Sequence, residues 1–353
     1  MTTRSSAISK FLAATLTTAL ALGALSSCAH AGGEQSPSGP PASRLTPQWH
    51  SPVTANTPTA RHENAFVAIG QKLYLVGGRG QRPLDIFDTA TGTWRQGAAA
   101  PLEIHHMQAL AHDGKLYIVG ALTGGFPEET PLDHILIYDP ASDRWSAGPQ
   151  IPEQRRRGGG GVVAHEGRIY LVGGNTRGHM SGYVPWLDVF DPATGAWTRL
   201  PDAPHARDHF HAVVIDGQLY AAGGRRSAHD AGDTLSMTIA QVDVYDIAAG
   251  RWRTLAAPLP TPRAGAAVAA VGGKLLVMGG ESARQVPAHS EVEAFDPASG
   301  RWQTLAPLPQ GRHGTQATVV GNKLYLAAGS GNRGGGPELG DLLVLEQGGA
   351  KAR

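Results

Sequence analysis

The sequence predicts an all-β fold, a six-bladed β-propeller closed into a single ring, from three observations. An apolar run ending in glycine occurs six times: L-Y-L-V-G-G at 73–78, L-Y-I-V-G at 116–120, I-Y-L-V-G-G at 169–174, L-Y-A-A-G-G at 219–224, L-L-V-M-G-G at 275–280 and L-Y-L-A-A-G at 324–329. Tryptophans keep step with it, at Trp49, Trp94, Trp145, Trp197, Trp252 and Trp302, spaced 45 to 55 residues apart. Short glycine-bearing turns of the hairpin type precede the apolar runs, as at Asp113-Gly114, Glu166-Gly167 and Asp216-Gly217. A unit of about fifty residues with repeated strand signals cannot bury its apolar face alone, so the units must stack on one another.

Each unit reads as four strands. Strand a is an apolar small-residue run such as Gly161–Ala164 or Ala212–Ile215. Strand b is the β-branched and aromatic run that ends in the glycine pair. Strand c is L-D-I-F-D at 84–88, I-L-I-Y-D at 135–139, L-D-V-F-D at 187–191, V-D-V-Y-D at 242–246 and V-E-A-F-D at 292–296. A turn such as Asp191–Gly195 then delivers the tryptophan that opens strand d. Trp49 precedes any strand a, and the sixth unit has L-L-V-L at 342–345 with no tryptophan after it. The N-terminal strand is therefore expected to supply strand d of the last blade and remove the open edge.

The pattern of R/H, L-Y-x-x-G-G and D-x-Y/F-D-P-x-T/S-G-x-W, over about residues 46–346, resembles the kelch motif. The resemblance implies blades of a kelch-type propeller.

Four segments are expected: a lipoprotein signal peptide at 1–27, a flexible tether at 28–45, the propeller at 46–347 and a disordered tail at 348–353. Arg4 and Lys10 precede an apolar stretch from Phe11 to Leu25, too short for a comfortable transmembrane helix. The only cysteine, Cys28, closes Leu25-Ser26-Ser27-Cys28, which resembles the bacterial lipobox. That implies lipidation of Cys28 and, since Ala29 is not an Asp retention signal, an outer-membrane anchor facing the periplasm. The Pro/Gly/Ser-rich stretch after it reads as the tether. With 30 Lys and Arg against 29 acidic residues, the chain has no field for nucleic acid. A monomer touching the membrane only through its anchor is expected.

Strand parity puts the uniformly short a–b and c–d turns on one face and the b–c and d–a connections on the other. The b–c inserts are long and unlike one another: 121–133, 175–186, 225–241, 281–291 and 330–341. Variable loops on a rigid scaffold are where sites are built. The d–a connections carry Arg61-His62-Glu63, Ile104-His105-His106, Arg155-Arg156-Arg157, Arg207-Asp208-His209, Arg263 and Arg312-His313. Read as a ring at the channel mouth, Arg61, His62, His105, His106, Arg155, Arg156, Arg157, Arg207, His209, Arg263, Arg312 and His313 form the expected ligand site. Guanidinium forks there suit an anionic or polyhydroxylated ligand, or an acidic protein partner. The competing role for these arginines is structural, pairing with the Asp of a D-P turn or with a carbonyl. Phe126, Tyr183 and Trp186 are the insert aromatics able to stack on a sugar.

His209 and His211, two apart on a strand, and the His105-His106 pair invite a metal reading. With no Cys or carboxylate at ligand spacing, the expectation is hydrogen-bonded histidines lining the channel, with no metal and no cofactor. Copper radical oxidases of the galactose oxidase type share this propeller, but their Cys–Tyr crosslink has no counterpart in this chain. No nucleophile motif, P-loop or dinucleotide fingerprint is present. The enzyme alternative is a sialic acid mutarotase-like activity, with Glu281 and Arg284 as the candidate catalytic pair after Gly279-Gly280.

Overall fold

A computed structural model describes residues 48–346. The expected signal peptide, Cys28, the tether and the C-terminal tail lie outside the described residues. Six four-stranded antiparallel sheets form the blades. From strand a to strand d they are Asn64–Ile69, Lys72–Gly77, Leu84–Asp88 and Thr93–Gly97 in blade 1, and Ala109–His112, Lys115–Ile118, His134–Asp139 and Arg144–Gln150 in blade 2. Blade 3 is Gly161–His165, Arg168–Val172, Leu187–Asp191 and Ala196–Leu200, and blade 4 is Ala212–Ile215, Gln218–Ala221, Asp243–Asp246 and Arg251–Thr254. Blade 5 is Ala267–Val271, Lys274–Met278, Val292–Asp296 and Arg301–Thr304. Blade 6 takes strands a to c from Ala317–Val320, Lys323–Ala327 and Leu342–Glu346. Its fourth strand is Trp49–His50, with Trp49 opposite Leu345, so the ring closes as the sequence predicts.

The apolar cores lie between blades rather than within them. Each of six buried clusters joins one blade to the next, from Tyr74, Ile86, Leu116 and Tyr138 between blades 1 and 2 to Phe66, Phe87, Tyr325 and Val344 between blades 6 and 1. No blade can keep its core without both neighbours. Strand d tryptophans stack on strand c aromatics, as with Phe87–Trp94 and Phe190–Trp197 at ring-centre distances of 5.0 Å. The indoles of Trp145, Trp197 and Trp252 also donate to Ala98, Gln150 and Pro201 carbonyls of the preceding blade, at 2.8, 3.1 and 2.7 Å. The outer-strand tryptophans thus act as hydrogen-bonded clips between blades, and Trp145, Trp197, Trp252 and Trp302 are only half-buried.

Small residues on strand a let the inner strands crowd the axis. A Cβ at Gly161 would stand 2.6 Å from the Ala212 methyl of the next blade. On the loop face, two inserts form their own hairpins, Leu122–Thr123 with Thr130–Pro131 and Asn175–Arg177 with Ser181–Tyr183. Among the described residues no helix is long and apolar enough to cross a membrane.

Candidate functional site

The d–a connections align three residues per blade before strand a. They read Arg61-His62-Glu63, Ile104-His105-His106, Arg157-Gly158-Gly159, Arg207-Asp208-His209, Arg263-Ala264-Gly265 and Arg312-His313-Gly314. The three positions have different fates.

The first turns inward. The side chains of Arg61, Arg157, Arg207, Arg263 and Arg312 are buried and donate to carbonyls of their own strand b, Gly77, Gly173, Gly223, Gly279 and Ala328. Each also pairs with an acid of its own blade: Arg61 with Asp85, Arg157 with Asp188 at 2.8 Å, Arg207 with Asp243 at 2.7 Å, Arg263 with Glu293 at 2.5 Å and Arg312 with Asp341 at 2.9 Å. Burial pulls Arg61 and Arg157 down to about 10, and the partnering aspartates keep them charged at neutral pH. These guanidiniums are occupied inside the blades, so five of the seven arginines of the expected ring do not stand free at the mouth. Of the two structural partners expected, the carbonyls are found and the D-P aspartates are not. Asp88, Asp139, Asp191 and Asp296 instead cap their own turns, accepting from the N–H two residues on at 2.9 Å.

Blade 2 supplies an internal control. Ile104 stands in the Arg position, and Leu136 stands where strand c of blade 1 has Asp85; both are buried in one apolar cluster. Arginine and acid disappear together, as an isolated buried charge would demand. Arg155 follows the structural pattern, donating to Asp188 at 3.0 Å and lying 4.1 Å over the Trp186 ring. Half-buried Arg156 donates to the Ile151 carbonyl at 3.3 Å. Trp186 is thus taken by an arginine, and Arg226 lies over Tyr183 at 5.9 Å.

The third position forms a collar. Glu63, His106, Gly159, His209, Gly265 and Gly314 all sit in the left-handed region, at φ between 52° and 68°. Backbone N–H groups of His106, Gly159, Gly265 and Gly314 donate to the third-position carbonyl of the preceding blade for Glu63, His106, His209 and Gly265, at 2.7 to 3.1 Å. Three blades use glycine there at no steric cost. The other three hold a side chain at about 1–3 kcal/mol of backbone strain each. Glu63, His106 and His209 are thus the residues whose presence the fold itself does not explain.

The residues around them hold the two histidines in place. His209 Nδ1 pairs with Asp208, which also accepts from the Ser227 N–H at 2.9 Å and hydroxyl at 2.7 Å. His179, from the turn between the two strands of the blade 3 insert, pairs through Nδ1 with Glu129 at 2.8 Å. Arg79 holds the same Glu129 at 2.5 Å. His105 donates from Nε2 to the Gly124 carbonyl at 3.0 Å, leaving its Nδ1 to accept from His106 Nδ1 at 2.6 Å. Burial depresses His106 well below the ordinary imidazole range and His179 to about 4, so both are neutral imidazoles at pH 7. His211 lines a small cavity with Glu63, His106 and His209 but is not among the histidines whose nitrogens cluster within 4.8 Å, His106, His179 and His209.

Opposite the histidines, Glu281 pairs with Arg225 and accepts from the Gly334 N–H at 2.7 Å. Burial works to raise the Glu281 carboxyl, but nearby His313 and Arg225 outweigh it and hold it at about 2. Arg284 is exposed and does not line the cavity with Glu281. The cavity above the collar measures about 630 Å³, lined by His62, Glu63, Arg79, His106, Phe126, His179, Arg225, His229, Thr234, Leu235, Glu281, Gly334 and Gly335. Of the three insert aromatics only Phe126 reaches it, 53% exposed and edge-on to His179 and His229 at 5.0 Å. His62, His106 and Glu281 all line this cavity, so a member of the expected catalytic pair stands beside two residues of the expected ligand ring. His179 and Glu129, from inserts without a repeat, carry no sequence signal of this role, whereas Arg225 follows its glycine pair at the position Glu281 takes in blade 5.

Comparison with known proteins agrees with this architecture. A model of the KLHDC2/KLHL20/DRC7 kelch-repeats domain matches residues 149–329. The Kelch-like protein terF of Aspergillus terreus is 29% identical over 287 residues, covering 76% of this chain and 61% of that protein. Alpha-scruin of Limulus polyphemus is 29% identical over 59% of this chain and 23% of its own length, and human Kelch-like protein 23 is 25% identical over 73% and 43%. The chain spans less than two thirds of the curated relatives it matches. The solved structure of YjhT superposes with a TM-score of 0.70 at 17% identity, covering 82% of this chain and 95% of that one, a likeness of fold. Six inter-blade cores, a ring closed by the N-terminal strand and the matched repeats together place the chain in the kelch-repeat β-propeller family.

Proposed function

We propose that this protein works by recognition, holding a small polyhydroxylated ligand of carbohydrate type in the cavity on its loop face. The observation that carries the reading is the composition of that cavity. Its volume of about 630 Å³ suits a ligand of one or two sugar rings. Phe126 offers an apolar ring for stacking, and Arg79, Arg225 and Glu281, which line the cavity and are held by ion pairs, offer fixed donors and an acceptor for hydroxyls. Because the repeating arginines are spent within the blades, a free anion gripped by an arginine ring is the less favoured ligand. The mutarotase-like alternative draws little support from the site: ionised Glu281 cannot deliver a proton near neutral pH, and as a base it is weak and already engaged by Arg225 and the Gly334 N–H. The lipobox-like Leu25–Cys28 supports a periplasm-facing outer-membrane address for this domain.

The test is a calorimetric screen of the full chain against neutral and acidic mono- and disaccharides. A binder whose affinity drops at least tenfold in Phe126→Ala and vanishes in Gly335→Trp, which plugs the cavity beside His62, supports the reading. Sugars that bind equally well to both variants, or capture of a protein partner unaffected by the plug, overturn it. Incorporation of labelled palmitate that is lost in Cys28→Ala tests the anchor separately.

A further inference from the structure

We propose that His106, His179 and His209 bind a divalent first-row transition ion of the zinc class at the collar. The inference goes beyond ligand recognition and stands or falls independently of it. One ring nitrogen of each histidine lies within 4.8 Å of the others, and all three side chains are buried. The ring centres are 4.5 to 5.0 Å apart.

The hydrogen-bond network decides which nitrogens are free. His179 Nδ1 is committed to Glu129 and His209 Nδ1 to Asp208, each a carboxylate that can only accept. His106 Nδ1 must carry the proton it gives to His105, whose own proton goes to the Gly124 carbonyl. That leaves Nε2 of each histidine for the centre. His179 Nε2 and His209 Nε2 stand 3.0 Å apart, a hydrogen-bond separation spanned by one shared proton, and His106 Nε2 is 3.4 Å from a Glu63 oxygen. A cation that displaces the shared proton turns that contact into coordination. Imidazoles whose outer nitrogen is held by a carboxylate or carbonyl are the arrangement found around metal ions, because it fixes tautomer, orientation and basicity. A tetrahedral ion with bonds of about 2.0–2.1 Å sets its nitrogens roughly 3.3 Å apart. The His179–His209 pair already meets that spacing, and His106 has to draw in by up to about 1.5 Å.

Two further observations point the same way. His106 and His209 occupy left-handed positions that three other blades fill with glycine, so backbone strain is borne to keep these imidazoles where they are. Between them, blade 3 places Gly159 on the collar and sends His179 in from its own insert. Three protein ligands leave a fourth position, and His106 and His179 line the large cavity, so that position is open to water or ligand.

The experiment is titration of the chelator-stripped full chain with Zn²⁺ by calorimetry, with bound metal counted by elemental analysis and Co²⁺ as a spectroscopic probe. The expected result is one equivalent per chain and the intense visible bands of a four-coordinate cobalt site. His179→Ala should weaken binding at least 100-fold, and Glu129→Gln, which keeps the shape but removes the outer carboxylate, about 10- to 100-fold. His165→Ala, at the end of strand a of blade 3 and outside the cavity, should leave it unchanged, and thermal melts of each variant show that the fold is kept. No saturable equivalent, or full-strength binding in His179→Ala, overturns the proposal. Gly335→Trp separates the two readings, since it blocks the sugar cavity and leaves the histidines in place.

Discussion

Within each d–a connection, the first and third residues, two positions apart, follow opposite patterns in the repeat. The first position is arginine in five blades, and every one of these arginines is buried against its own strand b carbonyls and a strand c or neighbouring acid. The third position is Glu63, His106, Gly159, His209, Gly265 and Gly314, glycine in three blades and a polar side chain in the other three. What recurs in five of the six blades serves a shared structural need, a pinned inner loop. What departs from the repeat is free to build one asymmetric site on the axis.

That contrast is most severely tested by cutting into the repeating half. Arg263→Ala leaves Glu293 buried without its partner, and equilibrium unfolding should show a loss of about 3–5 kcal/mol. A loss under about 1 kcal/mol would mean that the arginines are not structural.

Acid should act next. Glu281 holds its charge down to about 2, well below the ordinary carboxylate value of about 4.3. A depressed carboxylate contributes stability that is fully present above its unfolded pKa and is lost as pH falls toward the folded one. The melting temperature should therefore fall between about pH 4.5 and 2, and Glu281→Gln should flatten that part of the profile. An unchanged slope in the variant would assign the acid sensitivity to other groups.

Smaller effects belong to the non-repeating half. His106→Gly removes strain as well as contacts, so metal-free unfolding should stay within about 1 kcal/mol of the parent. Arg156→Ala, which removes a half-buried side chain with one long hydrogen bond, should fall within about 0.5 kcal/mol. A large loss in either variant would erase the division between scaffold and site.

The fold was legible because its signals repeat: glycine pairs, strand c acids and tryptophans recur at one spacing, and the orphan Trp49 even announces the closure with Leu345. The arginines were legible as a set but not in direction. Nothing in Arg-His-Glu says which side chain turns into the blade, because that is decided by strand b carbonyls and an acid some thirty residues on. Blade 2 held the clue, since Ile104 and Leu136 replace both members of the pair at once. The collar was half legible: glycine at 159, 265 and 314 against Glu63, His106 and His209 marks positions where a side chain is kept at a cost. His179 and Glu129 were not legible at all, because they come from inserts whose course is set by tertiary contacts and has no counterpart in other blades.

The central claim, that the recurring arginines are scaffold, is tested most directly by a double-mutant cycle in which blade 5 is rebuilt in the image of blade 2. Unfolding free energies are measured for Arg263→Ile, Glu293→Leu and the two together. The account predicts that the double variant regains at least half of what the worse single variant loses, because the buried charges leave as a pair. A double variant that loses the sum of the two singles would contradict it.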